Sequence, residues 1–418
     1  MSPRLVAVFA TLCLSFSPPA RAQDALYAAI DAYDAGALAT LAHTESPERA
    51  AAARGALAAM RRQDDLALAN LAQAGVSEAL APDLRRISWL IVSDLNLRQS
   101  RFADAAAAIE AARAVPGQTD AEAFIQRTAT NLRFTRALSS VPAMRAQVVA
   151  GEASITRDMA ELARAEAVIN GQRQEAVLDT GAGYSTITES AAERLHLRRL
   201  DGRVIVGSAT GDVEAGLAVA DSLELGGGRY EHVVFIVLPD EALTFAGGVY
   251  HIPAIIGFPV LLQLGRLEFV RSGEHEVLRH HGAPHAVAAD SNLQLDGLQP
   301  VAIIRAHNAP LRMFIDSGAR RTSLNNRAAA DAPRLLDGAA AHTAEIGGAG
   351  GQQSQEGLRI PEVTFDVNGH HVTLRDVSLY GDPPNHRHGA IGQDLLRSGA
   401  GYVLDFNAMR FEVLPSAP

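Results

Sequence analysis

The chain has 418 residues, of which 48% are hydrophobic and 20% charged, and its formal net charge is −10. That composition is ordinary for folded domains, and the length allows two or three of them. The negative balance argues against nucleic acid as a partner.

Residues 1–22 have the layout of a secretory leader. Arg4 opens it, Leu5 to Phe16 form a short apolar core, Pro18 and Pro19 interrupt it, and Ala20-Arg21-Ala22 is a small-x-small cleavage pattern. The core is too short to span a membrane as a helix. The expectation is export across the inner membrane to the periplasm; extracellular or lipid-anchored placement is the alternative. Lipid attachment at Cys13 fits poorly, because bulky Leu12 precedes it. Cys13 is the only cysteine, so the processed chain holds no disulfide.

From residue 24 to 140 the chain is rich in Ala, Leu and Arg, with apolar residues at helical spacing: Leu57, Met60 and Leu66, then Trp89, Leu90, Val92, Leu95 and Leu97. Gly36, Gly75 with Pro82, and Pro116-Gly117 read as helix ends. The stretches from Gln63 and from Ser100 look alike at an offset of about 36 residues, which places Leu66 opposite Phe102. The reading is stacked helical hairpins resembling tetratricopeptide repeats. They serve either to bind a protein partner or only to pack.

Beyond residue 141 the texture becomes that of strands. Ala167 to Leu178 reads as a hairpin around Asn170-Gly171, since Asn-Gly suits a primed turn. It delivers Asp179 into Asp179-Thr180-Gly181-Ala182-Gly183-Tyr184-Ser185. Ala191 to Leu197 reads as a short helix. Val204 to Thr210, Val213 to Leu225 and Tyr230 to Leu238 read as strands. This first unit covers 141–279. Residues 280–299 read as a linker, with His280, His281 and His285 as solvated loop residues; His370-His371, His386 and His388 receive the same reading. No metal and no cofactor is expected.

A second unit, 300–418, repeats the plan. Leu311 to Ile315 leads into Asp316-Ser317-Gly318-Ala319-Arg320-Arg321-Thr322, which aligns on the first segment without a gap. Thr180 meets Ser317, Gly181 meets Gly318, Ala182 meets Ala319 and Ser185 meets Thr322. Ile255-Ile256-Gly257 and Ala390-Ile391-Gly392 follow, with Gly257 78 residues after Asp179 and Gly392 76 residues after Asp316. Each unit then closes on a strand, Arg266 to Phe269 and Tyr402 to Phe406. A section read as mainly loops lies between Asp316 and the strand at Glu362. The paired set indicates duplication of a unit of roughly 120 residues.

These motifs resemble the retropepsin-like aspartic peptidases, and the Ala after each Gly is closest to the retroviral branch. The resemblance covers roughly Met144 to Leu414. It implies an N-terminal all-α helical-repeat domain followed by two all-β retropepsin-like lobes in a pseudo-twofold bilobal unit, the dyad forming within one chain. It also implies an aspartic endopeptidase acting on peptide or protein substrates, with Asp179 and Asp316 as the catalytic pair. Thr180, Gly181, Ser317 and Gly318 would support the pair. Ala182, Gly183, Tyr184, Ala319, Arg320 and Arg321 would line the substrate. The segments Gly207 to Gly211 and Ile346 to Gly351 would close over it, with Gly211 and Gly348 among the substrate-binding residues.

The chemistry requires these residues. Metal-free hydrolysis without a covalent nucleophile needs an activated water, and two close carboxylates sharing one proton supply a base and an acid together. Arg320 and Arg321 depart from their counterparts Gly183 and Tyr184, and two guanidiniums there would favour acidic side chains or a terminal carboxylate. No Gly-x-Ser-x-Gly elbow, His-Glu-x-x-His zinc motif or nucleotide-type phosphate loop occurs. Two other readings stay open: a peptide-binding protein that keeps the cleft without turnover, and an assembly protein whose helices do the work.

Overall fold

The computed structural model describes residues 24–116, 121–208, 211–273, 275–281, 285–348, 351–381 and 386–416. The leader expected at 1–22 lies outside these residues, as do 209–210 and 349–350 within the two expected covering segments.

Seven helices open the described chain: α1 Ala25–Asp31, α2 Ala35–Thr44, α3 Pro47–Met60, α4 Asp64–Val76, α5 Pro82–Arg98, α6 Phe102–Ala114 and α7 Ala121–Ala137. Their starts follow local chemistry. The Asp24 carboxylate accepts from the amides of Leu26 and Tyr27, Asp34 caps α2 through the Ala37 amide, and Pro47 and Pro82 occupy first helical positions. Each helix packs on the next, and α3 also reaches α5. Small residues permit close approach: a Cβ on Gly55 would sit 2.6 Å from Leu71 Cγ, and one on Gly75 2.6 Å from the Trp89 ring. Gly75 therefore lies in the last turn of α4 as a packing contact, and Gly36 sits inside α2 and ends no helix.

The expected register of the two similar stretches shifts. Arg62 and Ser100 are the left-handed residues after α3 and α5, with φ of 58° and 56°. They are equivalent, so Asp64 matches Phe102 at the starts of α4 and α6. Leu66 is 50% exposed while Phe102 is 1% exposed, so those two do not share a position.

The rest is mainly strand. Thirteen strands form one continuous sheet and eight another among the described residues. Strands Ala163–Ile169 and Gln172–Leu178 pair around Asn170 and Gly171, both at positive φ as a primed turn requires. Asn368-Gly369 joins His370–Tyr380 to Gly351–Val367 in the same way. One set of pairings then occurs twice. Ala254–Ile256 runs parallel to Gln172–Leu178 and antiparallel to Ser185–Thr188, which runs parallel to Gly228–Leu238. Gly389–Ile391 likewise runs parallel to Ala309–Ile315 and antiparallel to Ser323–Leu324, which runs parallel to His370–Tyr380. The two closing strands pair with each other, Leu267 opposite Leu404 and Phe269 opposite Tyr402, whose rings stack at 4.5 Å.

Three expectations are corrected. The stretch 280–299 is not a plain linker: His280 and His281 end the strand His275–His281, and Leu293–Asp296 pairs with Gln299–Ala306. Buried Leu293 and Leu295 alternate with half-buried Gln294 and Asp296, the period of a one-faced strand. The section after Asp316 is not mainly loop, because Ala340–Gly348 pairs with Gly351–Val367 in a long hairpin. Its Gly- and Gln-rich sequence lacks the apolar alternation that marks a strand; a backbone ladder forms it, with Arg359 reaching the His342 ring across the pair at 2.9 Å. Finally, His280, His386 and His388 are buried, not solvated. His280 Nε2 lies 2.7 Å from the Gly226 carbonyl. His388 bridges the Arg312 amide and Asp331, at 2.9 and 2.8 Å. His386 stacks on Tyr33 at 4.2 Å, and burial drives its pKa down to about 4.

No helix of the described residues is long and apolar enough to cross a membrane. The largest core runs through both sets of strands and takes in Leu97, Phe102, Ala105, Phe134 and Leu138 from α5 to α7 and the turn after it. These residues thus share the interior of the strands, while the rest of the helical region packs in clusters of its own.

Candidate active site

Buried apolar residues Ala176-Val177-Leu178 and Met313-Phe314-Ile315 end the two equivalent strands, and the next residue of each is an aspartate. Asp179 and Asp316 both have zero exposure. Their amides are fixed identically, Asp179 N donating to the Ile256 carbonyl at 3.0 Å and Asp316 N to the Ile391 carbonyl at 3.0 Å.

The next two residues bring the loops together. Thr180 Oγ1 donates to the Ile315 carbonyl at 2.7 Å and accepts from Ser317 N at 3.0 Å. Ser317 Oγ donates to the Leu178 carbonyl at 3.0 Å and accepts from Thr180 N at 2.9 Å. Each hydroxyl therefore ties its own loop to the strand beneath the other.

Glycines 181 and 318 place N–H groups on the carboxylates. Asp179 Oδ1 accepts from Gly181 N at 2.7 Å and from Gly318 N at 3.0 Å, and Asp316 Oδ1 accepts from Gly318 N at 3.0 Å. The Oδ2 atoms of both aspartates are buried without a hydrogen-bond partner. The two groups meet at the glycines: a Cβ on Gly181 would lie 2.4 Å from Asp316 Oδ1 and 3.0 Å from Asp179 Oδ1.

Burial raises the Asp179 carboxyl against the lowering pull of the Gly181 and Gly318 amides. Burial and then the Asp179 charge raise Asp316 well above the usual carboxylate range. Such a pair retains a proton where isolated carboxylates have lost theirs, so it can act as base and acid at once.

A further pair of braces lies beneath. Ser185 Oγ accepts from Gly257 N and Thr322 Oγ1 from Gly392 N, both at 3.1 Å. Gly257 and Gly392 have no room for a side chain, since a Cβ would come within 2.5 Å of the Tyr184 carbonyl carbon and 2.4 Å of that of Arg321.

The expected substrate-lining residues separate into two groups. Ala182, Gly183 and Ala319 are buried within the loops. Tyr184 is also buried, its ring 4.9 Å from Phe134 and 6.4 Å from Phe102, so it packs on the helices and does not line an open cleft. Its counterpart Arg321 is exposed and Arg320 half-buried. Gly211 and Gly348 stand at the first and last paired positions of their hairpins, Gly211 exposed and Gly348 buried.

Gln393 was not singled out by the sequence reading. Its carboxamide donates to the Ser317 carbonyl at 2.7 Å and accepts from Arg157, which is itself bound to Glu276. Extending the aligned motif one residue past Gly392 reaches it, opposite Phe258. Among the described residues no group of three His, Cys, Asp or Glu side chains is placed to hold a metal ion.

Residues 165–260 match the family model described as aspartyl protease. The matched stretch contains Asp179 and Gly257 and ends before Asp316. A solved retropepsin-like aspartic protease from Rickettsia conorii is similar at 16% identity, with 33% of this chain and 96% of that chain covered and a TM-score of 0.22. No curated protein matches.

Proposed function

We propose that the chain is an aspartic endopeptidase in which Asp179 and Asp316 share one proton and activate a water for attack on a peptide carbonyl. The observation that carries this reading is the convergence of the two buried carboxylates on Gly181 and Gly318, with one oxygen of each left unpartnered. The aspartyl protease match over 165–260 supports it independently.

The ionised member of the pair takes the water proton, and the protonated member polarises the scissile carbonyl. Thr180 and Ser317 hold the carboxylates in register, and both loops belong to one chain. We read the strands as two retropepsin-like lobes in tandem, related by a pseudo-twofold. The helices of residues 24–140 are read as hairpins of tetratricopeptide type able to seat a protein partner. Residues 1–22 are read as an export leader and the periplasm as the destination. Both aspartates are buried, so the protein must open for substrate to reach them.

The deciding experiment is cleavage of an unbiased peptide library between pH 3 and 8 by wild type, Asp179→Asn and Asp316→Asn. Cleavage by wild type with both variants inactive is the expected result. Equal cleavage by either variant, or none by wild type at any pH, defeats the reading.

A further inference from the structure

The loop of Asp316 opens on a cavity of about 310 Å³ that has no apolar lining residue: Arg271, Arg320, Arg321 and Arg397 surround it with Glu161, Gln393 and Asp394. Four guanidiniums face two carboxylates, so the cavity carries an excess of positive charge. The carboxylates do not quench it evenly. Glu161 is bound by Arg397. Asp394 spends Oδ1 on the amide and hydroxyl of Thr322, at 2.8 and 2.7 Å, and stands 3.8 Å from Arg321 through Oδ2. Arg271 donates to the Gly399 carbonyl at 2.8 Å. The Arg397 Nε makes no hydrogen bond and stands 3.9 Å from Glu276, so Arg397 is flanked by two carboxylates and, among the described residues, the unpaired charge lies with Arg320 and Arg271. The Arg320 side chain has neither an ion pair nor a hydrogen bond among the described residues.

The cavity is continuous with the dyad loop. Gln393, in its wall, holds the Ser317 carbonyl through its side chain and the Ala319 carbonyl through its amide, at 2.7 and 2.9 Å. The corresponding ground beside Asp179 is filled: Tyr184 stands for Arg321 and Phe258 for Gln393, and Phe134 closes over Tyr184. Of the two matched positions, one is packed with rings and the other is open and cationic.

We propose that this cavity is a subsite that binds a carboxylate of the peptide substrate, with Arg320 and Arg321 as its ligands and Arg271 and Arg397 in its wall. The assignment rests on the peptidase reading above. A volume of about 310 Å³ is at the low end for ligand sites, which suits one side chain or chain end and not a whole ligand. Guanidinium forks match a carboxylate with paired charge-assisted hydrogen bonds. The carboxylate comes from an Asp or Glu side chain or from a free C-terminus.

The test separates binding from turnover. The Asp179→Asn protein is used to capture peptides from two random libraries, one with free and one with amidated C-termini. Enrichment of Asp or Glu at one position in both libraries assigns the side-chain source; enrichment only among free C-termini assigns the chain end. Either preference should fall roughly tenfold to a hundredfold when Arg320→Gln and Arg321→Gln are added, and return in part with Arg320→Lys. Arg320 and Arg321 lie at half-buried and exposed positions, and thermal melts check that the variants remain folded. Capture without acidic preference, a preference that survives the arginine changes, or no capture overturns the subsite. Wild-type cleavage of the same libraries is scored separately. Acid-selective capture without any cleavage defeats the peptidase reading and leaves the subsite standing; cleavage indifferent to acidic residues does the reverse.

Discussion

Replacing Gly318 by Ala tests the dyad at its tightest contact. A Cβ there would stand 2.3 Å from Asp179 Oδ2, 2.5 Å from its Cγ and 2.7 Å from Oδ1. Gly318 is not among the residues at positive φ, so contact and not backbone conformation forbids the methyl. Ordinary contact begins near ~3.4 Å, so the carboxylate must retreat by about 1 Å or the loop must lift by as much. Retreat gives up the bonds from Gly181 N and Gly318 N, and lifting strains the Thr180–Ser317 brace. Both routes separate the aspartates.

A misplacement of about 1 Å costs on the order of 100-fold in kcat, or about 2.7 kcal/mol in the barrier. Overpacking costs a further ~1–3 kcal/mol of stability. The assay is kcat on a peptide selected by wild-type cleavage, run beside a thermal melt. Gly36→Ala is the control, since its Cβ would meet nothing nearer than 3.4 Å. A folded Gly318→Ala protein with kcat within threefold of wild type would refute the argument that these carboxylates act as a closely held pair.

Three other outcomes follow from the same geometry. Thr180→Val strands the Ser317 amide and the Ile315 carbonyl in the interior, and at ~1–3 kcal/mol for each orphan should cost about 2–6 kcal/mol in urea unfolding; Ser317→Ala should behave alike, and a loss below about 1 kcal/mol in both would show that the brace does not hold the loops. With Asp179 pushed up to about 6 and Asp316 raised well above the usual carboxylate range, the dyad is doubly protonated in acid and lacks its base there. Hence kcat/KM should climb as pH rises through about 6, and a peak near pH 3–4 would contradict this. At the junction of α5 with the strands, burial and then Asp296 push Asp94 up to about 7 from 3.8. The folded state thus holds a proton that the unfolded chain releases, so stability falls as pH rises between about 4 and 7. The melting advantage of Asp94→Asn over wild type should widen across that window, and a constant difference would show that Asp94 does not titrate there.

The pair of loops was legible because its chemistry is local. Asp, hydroxyl, Gly and Ala in order, with a second hydroxyl and a later glycine, are needed at fixed spacings wherever such loops are braced, and Ser185–Gly257 and Thr322–Gly392 show the spacing at work. The Asn-Gly turns were legible for the same reason. What was not legible depends on distant partners. Tyr184 occupies a position that motif alignment assigns to substrate, and only the arrival of Phe102 and Phe134 from the helices buries it. His386 and His388 sit in a polar sequence, yet Tyr33 and Asp331 meet them from elsewhere in the chain. The hairpin through Gly348 and Gly351 is held by backbone pairing that its composition does not advertise. Gln393 escaped because one half uses an amide where the other uses the ring of Phe258.

The divergence of Tyr184 and Arg321 also bears on what the helices are for. The loops that hold the two aspartates are braced by equivalent bonds, so symmetry alone would leave equivalent ground beside each. The helices remove that equivalence: Phe102 and Phe134 take the space beside Tyr184 and join the interior of the strands. An appendage that merely carried a partner site would leave both sides open. Here the ring cluster closes one side, and the space that remains, beside Arg320 and Arg321, is the charged one. On the peptidase reading the helical region therefore fills the ground beside the Asp179 loop, and it leaves the two matched loops with one side packed by rings and the other open and cationic.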